Sequence, residues 1–110
     1  MLVLSLAINV AVLVPVLWGL ISDSPGSASA FGPDEPARRI LISVYCAIAL
    51  LSAVLLAWPA GRPTFGPGLL SLQVVYKIIS VVALGPAHPV AMANLGIAAV
   101  HSITLWVVLR

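Results

Sequence analysis

Charged side chains are scarce in this sequence. Five Lys or Arg and three Asp or Glu make up 7% of the 110 residues, whereas hydrophobic residues make up 62%. Charged residues account for about 25% of typical globular proteins, so this composition excludes a soluble domain. The basic residues do not cluster beyond Arg38 and Arg39, which also excludes nucleic acid as a partner.

Cysteine is nearly absent, and so is any catalytic constellation. The single cysteine, Cys46, can form neither an intrachain disulfide nor a Cys-ligated metal site within one copy, and we interpret it as a small packing residue. The sequence has no paired carboxylates, no Ser–His–acid set on one face, no glycine-rich phosphate loop and no metal-ligand spacing of His and Cys. We therefore expect no enzyme activity, no metal site and no cofactor.

Four nearly uninterrupted apolar runs fill most of the chain. They cover residues 2–21, 40–58, 69–84 and 90–109. About 20 apolar residues cross the roughly 30 Å hydrocarbon core of a bilayer as a helix, and a helix satisfies every backbone amide inside lipid. The sequence therefore predicts an all-α, four-helix transmembrane bundle that forms a single polytopic membrane domain over residues 1–110.

The breaks between the runs are polar or rich in Pro and Gly. The last break, residues 85–89, is so short that the third and fourth helices must form an antiparallel hairpin. The first run is long and no Lys or Arg precedes it, which favours a retained helix over a cleaved signal peptide.

The distribution of arginine bears on orientation. Four spans place both termini and the second break on the same side of the membrane. That side holds Arg62 and Arg110, and the opposite side holds Arg38 and Arg39. The positive-inside rule therefore counts two against two. We interpret both termini as cytoplasmic.

The most unusual residue is Lys77, near the centre of the third run. A lysine at the bilayer centre costs roughly 2.5–3.5 kcal/mol on insertion-based scales, so it normally faces the bundle interior, water or a partner. Gln73, Tyr76 and Ser80 lie on the same face of the predicted helix, because they are three or four residues apart along this stripe. The third run thus carries one polar face among aliphatic side chains.

The fourth run carries a second polar stripe, with Asn94 and His101 seven residues apart. Folding the hairpin about Ala87 puts Ser80 level with Asn94 and Gln73 level with His101, the latter pair about 21 Å from the turn. We therefore predict that the two stripes face each other, with the lysine between the two levels. These six residues form the candidate contact site for a ligand, lipid or partner: Lys77, Gln73, Tyr76, Ser80, Asn94 and His101.

The partner of Lys77 stays open at this point. No Asp or Glu lies in any apolar run, so an intramembrane ion pair within one chain is excluded. The amine is neutral, or it is charged and bonded to Asn94, Gln73 and backbone carbonyls, or it meets an acidic group from a lipid, another subunit or a ligand. In the remaining alternative the lysine snorkels from a tilted helix to a headgroup.

Two further patterns concern helix packing. Ala49, Ala53 and Ala57 recur every four residues in the second run, a spacing that lets another helix approach closely. In the first run, Asn9 with Ser5 one turn away can hydrogen-bond across the bundle.

Three features give the chain a likeness to a known family. They are residues 36–40 (PARRI) at the start of the second run, residues 72–77 (LQVVYK) in the third run, and the closing hairpin. The chain resembles small four-span bacterial inner-membrane proteins of the DoxX-like type. The resemblance implies a location in the bacterial cytoplasmic membrane. Some members of such families look like accessory partners of redox or respiratory proteins, and the resemblance assigns no role to any residue here.

The short breaks leave nearly all contact surface inside the bilayer. We therefore expect a non-catalytic accessory or structural subunit that packs against a larger membrane complex or against copies of itself. One alternative is a small transporter or proton-conducting oligomer with Lys77, Tyr76, His101 and Asn94 along the path. Another is a quinone- or haem-associated redox subunit, although His88 lies in a break, so that haem would require a site shared between copies.

Overall fold

The chain is all-α, and a computed structural model describes all of residues 1–110. Its helices are α1 (Leu2–Ile21), α2 (Pro25–Phe31), α3 (Pro36–Ala57), α4 (Arg62–Leu84) and α5 (Pro89–Leu109). All except the seven-residue α2 are long and apolar enough to cross a membrane. The predicted all-α bundle of four membrane-spanning helices is confirmed.

Two helices begin before their apolar runs. Helix α3 starts at Pro36 instead of Ile40, and α4 starts at Arg62 instead of Leu69. Each has a proline in its first turn, where the missing N–H costs no hydrogen bond and the fixed φ favours the helix. Hydropathy marks the part of a helix that lies in hydrocarbon, so it does not reveal a first turn that extends beyond it.

The connection between α1 and α3, residues 22–35, is not a plain loop. After α1, the amide of Asp23 donates to the carbonyl of Leu20 at 3.3 Å, and the amide of Ser24 donates to the carbonyl of Gly19 at 2.9 Å. Asp23 has a φ of 55°, so the chain ends α1 in a Schellman motif with aspartate in the left-handed position. Ser24 then caps the short helix α2 with its side-chain oxygen.

Arg38 locks this segment onto the bundle. Its side chain is only 2% exposed and pairs with the carboxylate of Asp23 at 2.8 Å. The same guanidinium donates to the carbonyl of Leu20, at the end of α1, and to the carbonyl of Gly32, at the end of α2, at 2.8 and 3.0 Å. One side chain at the start of α3 therefore binds a carbonyl at the end of each of the two preceding helices.

The spanning helices form two pairs. Helix α4 packs along α5, as the short break predicts, and α1 packs along α3, whereas contacts between the two pairs are less extensive. Large aliphatic and aromatic side chains cover the outside, among them Trp18, Val82 and Trp106. An apolar exterior of this kind fits a lipid environment.

The alanine stripe of α3 lies mostly on this exterior. Ala49 is half-buried, but Ala53 and Ala57 are exposed and do not pack inside the chain. Cys46, which we expected to pack, is exposed as well. The reason is the rotation of α3, which turns a neighbouring face inward; its buried residues are Arg38, Tyr45, Ile48, Ser52 and Leu55. Contact of the alanine stripe with another chain stays a prediction.

The role of Arg38 is testable by replacing it with a side chain of similar length that lacks the guanidinium. We expect Arg38→Met to lower the free energy of unfolding by roughly 2–4 kcal/mol, because it removes two charge-assisted hydrogen bonds to main-chain carbonyls and the ion pair with Asp23. The measurement is unfolding of the purified protein in mixed detergent micelles, followed by circular dichroism.

The neighbouring Arg39 provides the matched control. It pairs with Asp34 at 3.1 Å on the surface, where hydrogen bonding to its guanidinium holds the pKa of Asp34 below the usual value. Exposed pairs contribute little, so Arg39→Met should leave the unfolding midpoint unchanged. Equal effects of the two substitutions would contradict the role given to Arg38.

Candidate functional site

Lys77 lies inside the bundle, 4% exposed. Its Nζ donates to Oδ1 of Asn94 at 3.1 Å. Nδ2 of Asn94 donates to the hydroxyl of Ser80 at 2.8 Å, and that hydroxyl donates to the main-chain carbonyl of Lys77 at 2.6 Å. We call these three residues the lysine cluster. The amine therefore does not snorkel to a headgroup, and Ser80 meets Asn94 at the depth that the hairpin implies.

When it is protonated, the amine of Lys77 has more donors than the chain has acceptors for it. A lysine carries three N–H groups, and Asn94 Oδ1 is the one acceptor within hydrogen-bond distance. The nitrogen also lies 5.0 Å from the centre of the Tyr76 ring, a cation–π distance. The hydroxyl of Tyr76 is itself buried without a partner.

A second group of polar side chains surrounds Asn9 of α1. Nδ2 of Asn9 donates to Oγ of Ser52 at 3.1 Å and to Oε1 of Gln73 at 2.7 Å. Its Oδ1 accepts from Nε2 of Gln73 at 3.0 Å and from Nε2 of His101 at 2.8 Å. We call these four residues the asparagine cluster. Both donors and both acceptor sites of the Asn9 amide are used.

The hydrogen bond to Asn9 also determines the tautomer of His101. Because a carbonyl oxygen only accepts, Nε2 of His101 carries the hydrogen. Its Nδ1 is buried and has no partner.

One turn along α1 from Asn9, the hydroxyls of Ser5 and Thr104 meet at 2.7 Å, and both residues are fully buried. Together these contacts connect the α1/α3 pair to the α4/α5 pair.

Apart from Tyr76, the residues of the predicted contact site are thus divided between the two clusters. Ser80 and Asn94 join Lys77, whereas Gln73 and His101 turn to Asn9 instead, and no hydrogen bond links the two clusters. The sequence interpretation noted Asn9 and Ser5 as groups able to bond across the bundle. It missed Ser52 and Thr104, although each is a hydroxyl in mid-span and such groups seek partners in lipid.

Two adjoining cavities border the lysine cluster. The inner one has a volume of about 70 Å³ and is lined by Lys77, Asn94, Tyr45 and apolar side chains of α1, α2 and α5. The outer one has a volume of about 510 Å³ and opens between α2 and the α4/α5 hairpin. Phe31, Tyr45 and Val90 line both, as does Asn94. The lysine is therefore close to a path from outside the bundle.

The two histidines occupy different places along α5. Nδ1 of His88 accepts from the amide of Val90 and caps the start of the helix, whereas His101 lies thirteen residues further along. At 1.5 Å per residue the separation is about 20 Å, too great for both to ligate one haem iron. No group of three His, Cys, Asp or Glu side chains is placed to hold a metal ion.

Comparison with known proteins gives no family model, no curated protein and no solved structure that matches this chain.

The asparagine cluster yields a prediction about the fold. We expect Asn9→Leu to lower the free energy of unfolding by roughly 2 kcal/mol, since hydrogen bonds between membrane helices contribute about 0.6 kcal/mol each and four are lost. Ser102→Leu introduces the same side chain on the exposed face of α5 and should leave stability unchanged. Unfolding in mixed micelles measures both, and an Asn9→Leu protein as stable as wild type would contradict the assignment.

Proposed function

We propose that this protein is a small accessory or structural subunit of the bacterial cytoplasmic membrane, which packs against a larger membrane complex or against copies of itself. The observation that carries the proposal is the distribution of polar and apolar side chains between the interior of the bundle and its surface. Most of the buried polar side chains in the spanning helices are hydrogen-bonded within the chain, and the large side chains on the exterior are mainly apolar. Both termini lie on the cytoplasmic side in this proposal.

The small size of the connections supports this role. The longest, residues 22–35, holds only the seven-residue α2 and is fastened to the bundle by Arg38. Such connections offer little surface for a soluble partner. Recognition would therefore take place between helices inside the bilayer, where close packing of small and apolar side chains holds membrane proteins together.

One groove in the exterior lies between α3 and α4. This groove has a volume of about 560 Å³ and is lined mainly by exposed apolar residues, including Leu51, Trp58, Phe65 and Leu72. Gly68 also lines it, and a Cβ atom added there meets no atom within 4 Å. A bulky residue at this position would fill the groove without disturbing the fold.

The glycine in the groove allows a direct test. After extraction in a mild detergent, native mass spectrometry should find the wild-type chain in a complex larger than a monomer. We expect Gly68→Trp to reduce the complexed fraction at least about fivefold, because the indole occupies the groove. Gly96→Trp is the matched control, since Gly96 is exposed on α5, lines no cavity and also has open space around it. Recovery of wild type as a lone monomer would contradict the proposal.

The location of Lys77 beside a cavity favours one alternative, a small transporter or proton-conducting oligomer. Such a protein would conduct when reconstituted in liposomes, and Lys77→Leu would abolish the flux. The accessory role predicts no flux in either protein, with the Lys77→Leu chain still assembled. Flux in wild type that the substitution removes would decide for transport.

A further inference from the structure

Lys77 has no counter-charge in the membrane-spanning part of the chain. All three carboxylates lie in the first connection, and two of them pair with Arg38 and Arg39. Within the bundle the ammonium has a single acceptor, the neutral amide of Asn94. A buried cation of this kind is strongly stabilised when an anion supplies both opposite charge and further acceptors.

The inner cavity provides room for such an anion next to the amine. Its volume of about 70 Å³ exceeds the roughly 30 Å³ occupied by one water molecule, so it holds a head group of a few heavy atoms. Lys77, Asn94 and the phenol of Tyr45 are its polar side chains, and the remaining walls are apolar. A small charged head fits this space, whereas the phosphate of a diacyl lipid brings a glycerol and two chains that do not.

The outer cavity is suited to an apolar tail. Its volume of about 510 Å³ lies within the range of roughly 300–1,000 Å³ typical of ligand pockets. Most of its wall is apolar, and it opens toward the outside past residues 29–32 of α2. Tyr76 lies in the same wall.

We propose that the two cavities bind a single-chain amphiphile with a carboxylate head, the chemistry of a long-chain fatty acid. The carboxylate accepts from Nζ of Lys77 in the inner cavity, and the hydrocarbon chain leaves through the outer one. This site lies inside the bundle and is independent of the accessory role, which concerns the outer surface.

The test compares head groups on the same chain. Protein in phosphatidylcholine nanodiscs is loaded with a fluorescent fatty acid, which is then displaced by oleate, oleyl alcohol or added phosphatidylglycerol. We expect oleate to displace the probe at a concentration at least about tenfold lower than oleyl alcohol, because a charge-assisted hydrogen bond is about twice as strong as a neutral one. In Lys77→Met the difference between acid and alcohol should disappear.

Lys77→Met is expected to fold, since the substitution removes a membrane-embedded charge and breaks no ion pair. Its thermal unfolding should occur at the wild-type temperature or above. A second variant tests the cavity without touching the lysine: Ala83 lines the outer cavity and is exposed, so Ala83→Trp should weaken probe binding at least about tenfold. Ala99→Trp, on an exposed part of α5 outside both cavities, should leave binding unchanged.

Three outcomes would overturn the proposal. Equal displacement by oleate and oleyl alcohol would show that no cation binds the carboxylate head group. Displacement by phosphatidylglycerol as effective as by oleate would assign the site to a phospholipid phosphate. Unchanged binding in Ala83→Trp would place the probe on the outer surface. Each of these results leaves the complex measured by native mass spectrometry unaffected, so the two proposals fail separately.

Discussion

The side-chain amide of Asn9 is the contact on which the bundle depends. Apolar side chains gain little by leaving lipid for one another, so membrane helices associate through close packing and polar contacts. Asn9 binds Ser52 within its own helix pair, and Gln73 and His101 in the other pair. Because each of its hydrogen-bonding sites is used, the relative rotation of α1, α3, α4 and α5 is set at one level, and the neighbouring Ser5 contact with α5 reinforces it.

The four spans could be predicted because insertion into lipid depends on composition over about 20 residues. What hydropathy cannot show is a contact between distant residues at the membrane edge. Helix α2 and the compact first connection depend on Arg38, which reaches the carbonyl of Leu20 eighteen residues earlier in the chain. The buried contacts of Arg38 were not predicted, since nothing local in the PARRI segment distinguishes a buried arginine from the exposed Arg39 beside it.

The same distinction between local and distant contacts explains the candidate site. The meeting of Ser80 with Asn94 follows from a tight hairpin, whose turn sets the depth of every pair of residues on facing helices. The partners of Gln73 and His101 lie on α1, at separations of 64 and 92 residues, and helices far apart in sequence leave no periodic signal of their rotation. Equal depth of Gln73 and His101 was a sound inference, but both bind Asn9 rather than each other.

Lys77 differs from these structural groups because the fold gains little from it. The asparagine cluster and the Ser5 contact already join the two helix pairs, and the lysine bonds only to its own hairpin partner, Asn94. An ionisable residue inside a membrane-spanning helix is energetically unfavourable. Where the fold does not require it, such a residue is typical of a functional site. The outer wall of the neighbouring cavity includes Gly32, whose carbonyl Arg38 holds. The arginine that fastens the first connection therefore also sets the position of the opening through which the lysine is reached.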